Sequence, residues 1–344
     1  MSCEPLAVCL PSSVISKENI FLISGIRKSD IRHSTFDIRH QKIRHHFMGI
    51  ITRNICPVCN STSIAVELNA EDYTVSHQVF EIWQCSVCNL RFTQNVPDLS
   101  SVDAFYQSDS YISHTDTNKG IINKLYHSVR KTTLKRKLHL IEQATGIQKG
   151  SLLDIGAGTG AFAHTAQLGG WQVTGLEPDA ATRQRANDLY AMPLQKIEML
   201  FKLTEESFDA ITLWHVLEHV HELHEYIEQV KLLLKENGRA LIAVPNYTCY
   251  DAAVYKQYWA AYDVPRHLYH FSPAAIIKLL GQHQLQLLVV KPMWYDSFYI
   301  SMLSSKYKNK RTNLIAAGCI GLMSNLTAMF NRERCSSLIY IIGK

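Results

Sequence analysis

The residues best suited to chemistry form a glycine-rich turn, Asp154-Ile155-Gly156-Ala157-Gly158-Thr159-Gly160. An apolar run at 151–153 precedes the turn and a helix-compatible stretch, Ala161–Leu168, follows it, so the pattern predicts a strand, a turn and a helix. Glycines allow unusual backbone torsions and a close ligand approach, and a helix N-terminus presents unpaired N–H groups. The sequence therefore predicts a site for a nucleotide-like cofactor.

Two cofactors fit this turn in different ways. Gly156-x-Gly158-x-x-Ala161, with Glu177 following, matches the dinucleotide fingerprint, in which an acidic residue about 20 positions on binds ribose hydroxyls. Asp154, however, would repel a pyrophosphate, whereas S-adenosylmethionine has no phosphate and carries a cationic amino group and a sulfonium. The third glycine, Gly160, completes Gly-x-Gly-x-Gly. These features favour S-adenosylmethionine over NAD.

On these residues the chain resembles the class I S-adenosylmethionine-dependent methyltransferases. Residues 154–160 resemble the first motif of that family, and 173–179 its second strand with the acidic end. Residues 208–220 resemble the fourth strand and the helix after it, and 232–245 a helix, a glycine turn and the fifth strand. The resemblance implies an α/β enzyme with a Rossmann-like, doubly wound sheet of seven strands.

The resemblance also implies a set of residues around the cofactor. Glu177 would accept hydrogen bonds from the ribose, and Ile197 and Glu198 would lie near the adenine. The predicted cofactor-binding residues are Asp154, Gly156, Ala157, Gly158, Gly160, Phe162, Glu177, Pro178, Asp179, Ile197, Glu198, Trp214 and His215.

Four cysteines have the spacing of metal ligands. Cys56-Pro57-Val58-Cys59 and Cys85-Ser86-Val87-Cys88 each present two thiolates, and together they complete a tetrahedral zinc site. Alternating apolar residues between them predict a hairpin, and hence a zinc ribbon. Because protein ligands fill all four positions, the zinc is expected to be structural. The alternative, a pair of redox dithiols, calls for a βαβ context, which the pattern does not provide.

A histidine cluster and an aromatic loop follow two of the predicted strands. His215-Val216-Leu217-Glu218-His219 matches the H-x-x-E-H motif of zinc peptidases, but that motif belongs on a long helix and His215 ends an apolar strand. The loop 258–271 is rich in histidines and aromatic residues, which suits either an acceptor site or a helix-capping loop. We predict His215 or His267 as a base or acceptor-orienting group. The predicted substrate-binding residues are Tyr262, Arg266, His267 and His270.

Composition sets the broad class. Hydrophobic residues make up 47% of the 344 residues, enough for a sizeable core, and the net charge of +5 does not by itself indicate nucleic acid. The first residues lack the apolar region of a secretory signal, and Cys3, Cys9, Cys249, Cys319 and Cys335 show no pairing pattern, so a cytoplasmic protein is predicted.

Four segments are expected along the chain. Residues 1–50 have the composition of a disordered tail or of translation upstream of a true start at Met48, with a basic arm or a histidine metal tract as the alternative. Residues 51–95 form the zinc ribbon, and 96–149 a linker and an amphipathic helix with a basic face. Residues 150–344 form the methyltransferase domain.

A helical insertion is expected at about 298–331, within the methyltransferase domain. Its stretch 314–330 is uncharged, which favours a buried helical lid, with a membrane-surface contact as the alternative.

The predicted function is methyl transfer from S-adenosylmethionine to an O or C atom of a small acceptor such as a sugar, a lipid or a quinone-like molecule. One alternative is an RNA or protein methyltransferase that uses the zinc ribbon to bind its substrate. A second is a non-catalytic S-adenosylmethionine-binding protein. The modest net charge disfavours nucleic acid as a partner.

Overall fold

The computed structural model describes residues 49–106 and 121–344, and of residues 121–131 it describes the backbone alone. The predictions for residues 1–48 lie outside this part of the chain. The first described region, which we call the cysteine module, comprises residues 49–97. Its strands are β1 (Ile50–Ile51), β2 (Ile64–Glu71), β3 (Val79–Cys85), β4 (Arg91–Thr93) and β5 (Val96–Pro97).

The cysteine module contains the predicted hairpin between two equivalent turns. Strands β2 and β3 pair antiparallel, and β4 adds to β3. In each C-x-x-C turn the asparagine that follows, Asn60 or Asn89, has a φ of 58° and donates its N–H to the carbonyl of the first cysteine. Asparagine tolerates this left-handed conformation better than most residues do. The two turns therefore have the same backbone geometry.

A larger unit of alternating strands and helices follows. Its elements are α1 (Ile121–Thr145), β6 (Ser151–Ile155), α2 (Ala161–Leu168), β7 (Gln172–Leu176), α3 (Ala180–Tyr190), β8 (Phe208–Trp214), α4 (Leu223–Leu233), β9 (Leu234–Pro245), α5 (Tyr250–Tyr255), β10 (Tyr269–His270), α6 (Pro273–Gln282), β11 (Gln286–Pro292), α7 (Asp296–Asn309), α8 (Leu314–Phe330) and β12 (Ser337–Gly343).

The central sheet has the order β11-β12-β9-β8-β6-β7. The pairs β6–β7, β6–β8 and β8–β9 are parallel, and β12 lies antiparallel between β9 and β11. Parallel strands that are covered by helices on both faces are largely apolar, as residues 210–214 of β8 and 240–244 of β9 are. This mixed, mostly parallel α/β sheet confirms the predicted fold class.

The sheet departs from the sequence prediction in three places. Six strands pair among the described residues, and a parallel bridge between Leu176 and Gln195 stands beside β7, where a seventh strand was expected. Residues 215–220, predicted to begin a helix, form turns because His215 has a φ of 58°. Residues 234–238, predicted as the end of a helix and a turn, already belong to β9.

The cysteine module and the larger unit share a sheet. Strand β10 pairs antiparallel with β4, so that Tyr269 lies opposite Phe92 and His270 opposite Arg91. A four-stranded sheet of order β10-β4-β3-β2 therefore takes strands from both regions. The two regions are fixed to each other by backbone hydrogen bonds as well as by side chains.

A buried ion pair reinforces this junction. Arg266, 1% exposed, places its Nη2 atom 2.9 Å from Asp72 Oδ1 and 2.7 Å from Asp263 Oδ1. Its Nη1 atom donates to the carbonyl of Phe105 at 2.8 Å. Burial by itself would raise the pKa of Asp72, but the Arg266 guanidinium and hydrogen bonds from Ser76 hold that pKa well below its usual range.

The helical insertion is formed by α7 and α8. Small residues of α8 face the protein: Ala317, Gly321, Ser324 and Ala328 are buried. A Cβ on Gly321 would lie 2.9 Å from the Phe298 ring of α7, so the two helices pack closely. The opposite side of α8 is exposed, so the expected buried lid is buried along one face only.

We predict that Asp72→Ala destabilises the protein. The substitution leaves the buried Arg266 charge with one carboxylate, and breaking a buried pair of this kind costs about 3–5 kcal/mol. Urea denaturation would measure the free energy of unfolding. The control is Glu67→Ala, because Glu67 in the same module pairs with Arg91 and is 41% exposed. The Glu67→Ala variant should lose less than about 1 kcal/mol of its free energy of unfolding. Equal losses of unfolding free energy in the two variants would contradict the prediction.

Candidate active site

The glycine turn joins β6 to α2 in a conformation that requires its glycines. Gly156, Gly158 and Gly160 have φ values of 69°, 55° and 76°, in the left-handed region that L side chains rarely adopt. Gly160 is the N-cap of α2. A Cβ on Gly156 would lie 2.5 Å from Val216 Cγ2, so the segment after β8 packs directly against the turn.

Glu177 fixes the turn from the end of β7. Its buried carboxylate accepts the Gly158 N–H on Oε2 at 2.9 Å and the Asp179 N–H on Oε1 at 3.0 Å. Ala157 adds a backbone hydrogen bond to the Leu176 carbonyl at 2.8 Å. Asp179 caps α3 by accepting the Thr182 N–H at 2.6 Å.

Asp154 is buried at the end of β6. Its Oδ1 atom accepts a hydrogen bond from Thr212 Oγ1 on the neighbouring strand β8 at 2.7 Å. The carboxylate is therefore held beside the glycine turn by two adjacent strands.

The other predicted cofactor residues surround the same edge of the sheet. Phe162 and Trp214 pack edge to face with ring centroids 5.5 Å apart, and Lys137 of α1 places its Nζ atom 4.3 Å from the Trp214 centroid. Ile197 and Glu198 begin a 3-10 helix, Ile197–Lys202, just after the Leu176–Gln195 bridge. Pro178 lies between Glu177 and Asp179. Their contact with a cofactor stays a prediction.

His215 lies between two carboxylates. Its Nδ1 atom is 3.3 Å from Glu218 Oε1 and its Nε2 atom 3.3 Å from Asp296 Oδ2 at the start of α7. Burial of the ring opposes protonation, but the two carboxylates prevail and raise the pKa of His215 to about 9. The side chain is therefore an imidazolium at neutral pH, suited to donating hydrogen bonds and unsuited to removing a proton.

His219 has the opposite character. The Nδ1 atom of His219 lies 3.0 Å from the Arg266 carbonyl and that of His267 2.8 Å from the Ala261 carbonyl. A carbonyl accepts and does not donate, so each ring carries a proton on Nδ1. The Nε2 atom of His267 lies 4.0 Å from Asp263 Oδ2. Burial and the neighbouring His267 hold the pKa of His219 well below its ordinary value.

Glu218, His219 and His267 form a buried cluster. The Nε2 atoms of His219 and His267 and the Oε2 atom of Glu218 are buried without a hydrogen-bond partner. The ligand atoms of these three residues lie within 4.8 Å of one another. Such a set can accept a proton from a substrate hydroxyl or hold a cation. Sequence reasoning missed Glu218 and His219 as site residues, although their H-x-x-E-H spacing was the available signal.

The predicted substrate residues contact the cysteine module. Tyr262 Oη accepts a hydrogen bond from Arg91 Nη1 at 2.8 Å, and His270 Nε2 lies 3.0 Å from Thr93 Oγ1. Arg266 is engaged by Asp72, as described above. These polar atoms hold the junction between the regions, and their role in substrate binding stays a prediction.

The four cysteine thiols form a compact cluster. Cys56 Sγ lies 3.5 Å from Cys88 Sγ, and Cys59 Sγ lies 3.6 Å from Cys85 Sγ. All four sulfur atoms lie within 4.8 Å of one another. Tetrahedral bonds of about 2.3 Å to zinc place sulfur atoms about 3.8 Å apart. The donor set and its spacing therefore fit a structural zinc ion.

The central part of the chain is similar to known methyltransferases. Residues 126–290 match a family model described as a methyltransferase domain. Ubiquinone biosynthesis O-methyltransferase of Rickettsia felis is 26% identical over 202 residues, which are 54% of this chain and 81% of the relative. The enzyme of the same name from Xanthomonas oryzae pv. oryzae is 29% identical over 158 residues, 42% of this chain and 66% of the relative.

Two solved structures are similar to part of this chain. An S-adenosylmethionine-dependent methyltransferase from Archaeoglobus fulgidus matches with a TM-score of 0.44 and 16% identity, over 63% of this chain and 94% of that chain. Geranyl diphosphate C-methyltransferase from Streptomyces coelicolor A3(2) matches with a TM-score of 0.44 and 13% identity, over 66% of this chain and 86% of that chain.

We predict that Asp296→Asn lowers the pKa of His215, because it removes one of the two carboxylates. Histidine NMR titration would follow the ring. In the unmodified protein the raised pKa contributes stability that is complete below about pH 6.5, the ordinary histidine value. That contribution is lost as the pH rises through about 9.

The loss of stability with rising pH should therefore be smaller in the Asp296→Asn variant. The matched control is Asp188→Asn, since Asp188 is exposed on α3 and contacts Gln184. An unchanged titration midpoint for His215 in the Asp296→Asn variant would refute the assignment.

Proposed function

Since the chain carries a methyltransferase domain, we propose that it transfers the methyl group of S-adenosylmethionine to an oxygen or carbon atom of a small, quinone-like acceptor. The relatives of this domain are named as ubiquinone biosynthesis O-methyltransferases, which supports an aromatic hydroxyl as the acceptor group. The observation that carries the proposal is the buried cluster of Glu218, His219 and His267. Val216, which lies just before Glu218 in the chain, packs against Gly156 of the glycine turn.

Different residues of the chain are proposed to contact the different parts of the cofactor. When bound, S-adenosylmethionine supplies an activated methyl group on a sulfonium. The N-terminus of α2 and the glycine turn leave room for a ligand close to the backbone. Asp154 provides negative charge that suits the cationic part of the ligand. Glu177, which accepts the Gly158 N–H, is also proposed to accept hydrogen bonds from the ribose hydroxyls.

The histidines are proposed to have different roles in activating the acceptor. A phenolic hydroxyl becomes a strong nucleophile once its proton is removed. The Nε2 atoms of His219 and His267 are buried without a hydrogen-bond partner, which supports His267 with His219 as the proposed proton acceptors. His215 is proposed to act as an imidazolium that donates hydrogen bonds and orients the acceptor.

The test is transfer of an isotopic methyl group from S-adenosylmethionine to catechol-type acceptors, together with cofactor binding by calorimetry. Glu177→Gln should weaken S-adenosylmethionine binding about tenfold, because charge-assisted hydrogen bonds contribute about 1.5–3 kcal/mol. The matched control is Glu236→Gln at an exposed position. Binding of NADH in place of S-adenosylmethionine would contradict the proposed cofactor. Methyl transfer confined to RNA or protein would contradict the proposed class of acceptor.

We also propose that Cys56, Cys59, Cys85 and Cys88 bind one structural zinc ion. The metal would close the two turns of the cysteine module and so support the β4–β10 junction. Elemental analysis of the purified protein should find one zinc per chain, and Cys59→Ser should lower both the zinc content and the melting temperature. Cys319→Ser, at an exposed free thiol, should change neither. A metal-free protein of unchanged stability would disprove the proposal.

A further inference from the structure

The exposed side of α8 is apolar along its whole length. Ile315 is 83% exposed and Phe330 is 94% exposed. The exposed large apolar side chains of this helix are Leu314, Ile315, Leu322, Met323, Leu326, Met329 and Phe330, which we call the apolar face. At about 100° per residue these positions fall on one half of the helix circumference. Exposed apolar surface of this extent on one element indicates a contact with something outside the chain.

The apolar face does not result from a loosely packed helix. The opposite side of α8 carries the small buried residues Ala317, Gly321, Ser324 and Ala328. Ser324 donates a hydrogen bond to Asp251 Oδ1 on α5 at 2.7 Å, and Ser297 at the start of α7 donates to Asn325 Oδ1 at 3.0 Å. The helix is therefore held by small and polar residues and by Ile320, and its other large apolar residues point outward.

Cationic residues surround the apolar face. Lys306, Lys308, Lys310 and Arg311 are exposed just before α8, and Arg332 and Arg334 just after it. Glu333 is the single carboxylate between residues 306 and 334, so this segment carries six positive charges and one negative charge, a net +5. The helix itself has no charged residue. An apolar strip bordered at both ends by cations complements a surface with an apolar interior and anionic groups above it.

We propose that the apolar face docks α8 onto the surface of an anionic lipid bilayer. Within 49–106 and 121–344 no helix combines the length and hydropathy that crossing a bilayer requires. A helix of this kind instead lies in the interface, with its apolar side chains below the headgroups. The lysines and arginines on both flanks bind the anionic headgroups, each contributing about 1 kcal/mol, or roughly fivefold in affinity.

The experiment is sedimentation of the full chain with phosphatidylcholine vesicles, with and without added phosphatidylglycerol. The protein should bind the anionic vesicles more tightly, and added salt should weaken binding. Ile315→Ser with Phe330→Ser should lower the affinity at least about tenfold, because two large apolar side chains no longer leave water. Lys308→Gln with Lys310→Gln should reduce the preference for anionic vesicles, by about fivefold per charge.

The matched control is Leu168→Ser, which removes an apolar side chain that is 76% exposed at the end of α2 and should leave vesicle binding unchanged. Circular dichroism would show that the variants are folded. The proposal is overturned if the unmodified protein binds neither kind of vesicle. It is equally overturned if the variant with both Ile315→Ser and Phe330→Ser binds vesicles as tightly as the unmodified protein. It is also overturned if light scattering finds a dimer that this variant dissociates, because the face is then a contact between two copies. Vesicle binding needs no cofactor, so the outcome is independent of the proposed methyl transfer.

Discussion

The buried guanidinium of Arg266 connects the cysteine module to the histidine cluster. Its Nη2 atom lies between Asp72 of the module and Asp263 of the following region. The backbone carbonyl of the same residue accepts from His219 Nδ1. Moving a charge out of water is costly unless its partners are well placed, so the two carboxylates and the Phe105 carbonyl define one position for Arg266. Arg266 therefore contributes both to the junction between the regions, which β4 and β10 also form, and to the orientation of the His219 ring.

The two histidines after β8 show how the surroundings determine the charge of a residue. His215 has Glu218 and Asp296 at ion-pair distance, so it holds a proton at neutral pH. His219 has a carbonyl on one nitrogen and the ring of His267 nearby, so burial keeps it neutral. The positive charge of His215 itself adds to the cost of protonating His219. One site thus contains a hydrogen-bond donor and a proton acceptor from the same residue type.

The sequence predicts the local elements well and the long-range contacts poorly. Strand β8 lies within 208–220, where the resemblance to the methyltransferases places the fourth strand, because a largely apolar run is recognisable without knowledge of the partner strands. The pairing of His270 with Arg91 joins residues distant in sequence, and no local pattern carries it. The helix after β8 begins at Leu223 and not, as predicted, directly after the strand, where His215 has a left-handed backbone that no periodicity reveals. The protonation of His215 likewise follows from Asp296, which comes from an insertion outside the recognised motifs.

The helical insertion contributes to the candidate active site as well as to the exposed surface. Asp296, the first residue of α7, is one of the two carboxylates that keep His215 charged. Gly321 of α8 packs against Phe298 in the same turn of α7, with no room for a Cβ. Because close-packed helices move together and do not deform independently, the position of α8 constrains the position of Asp296. The charge of His215 therefore depends on the packing of the helical insertion as well as on strand β8, which precedes the histidine.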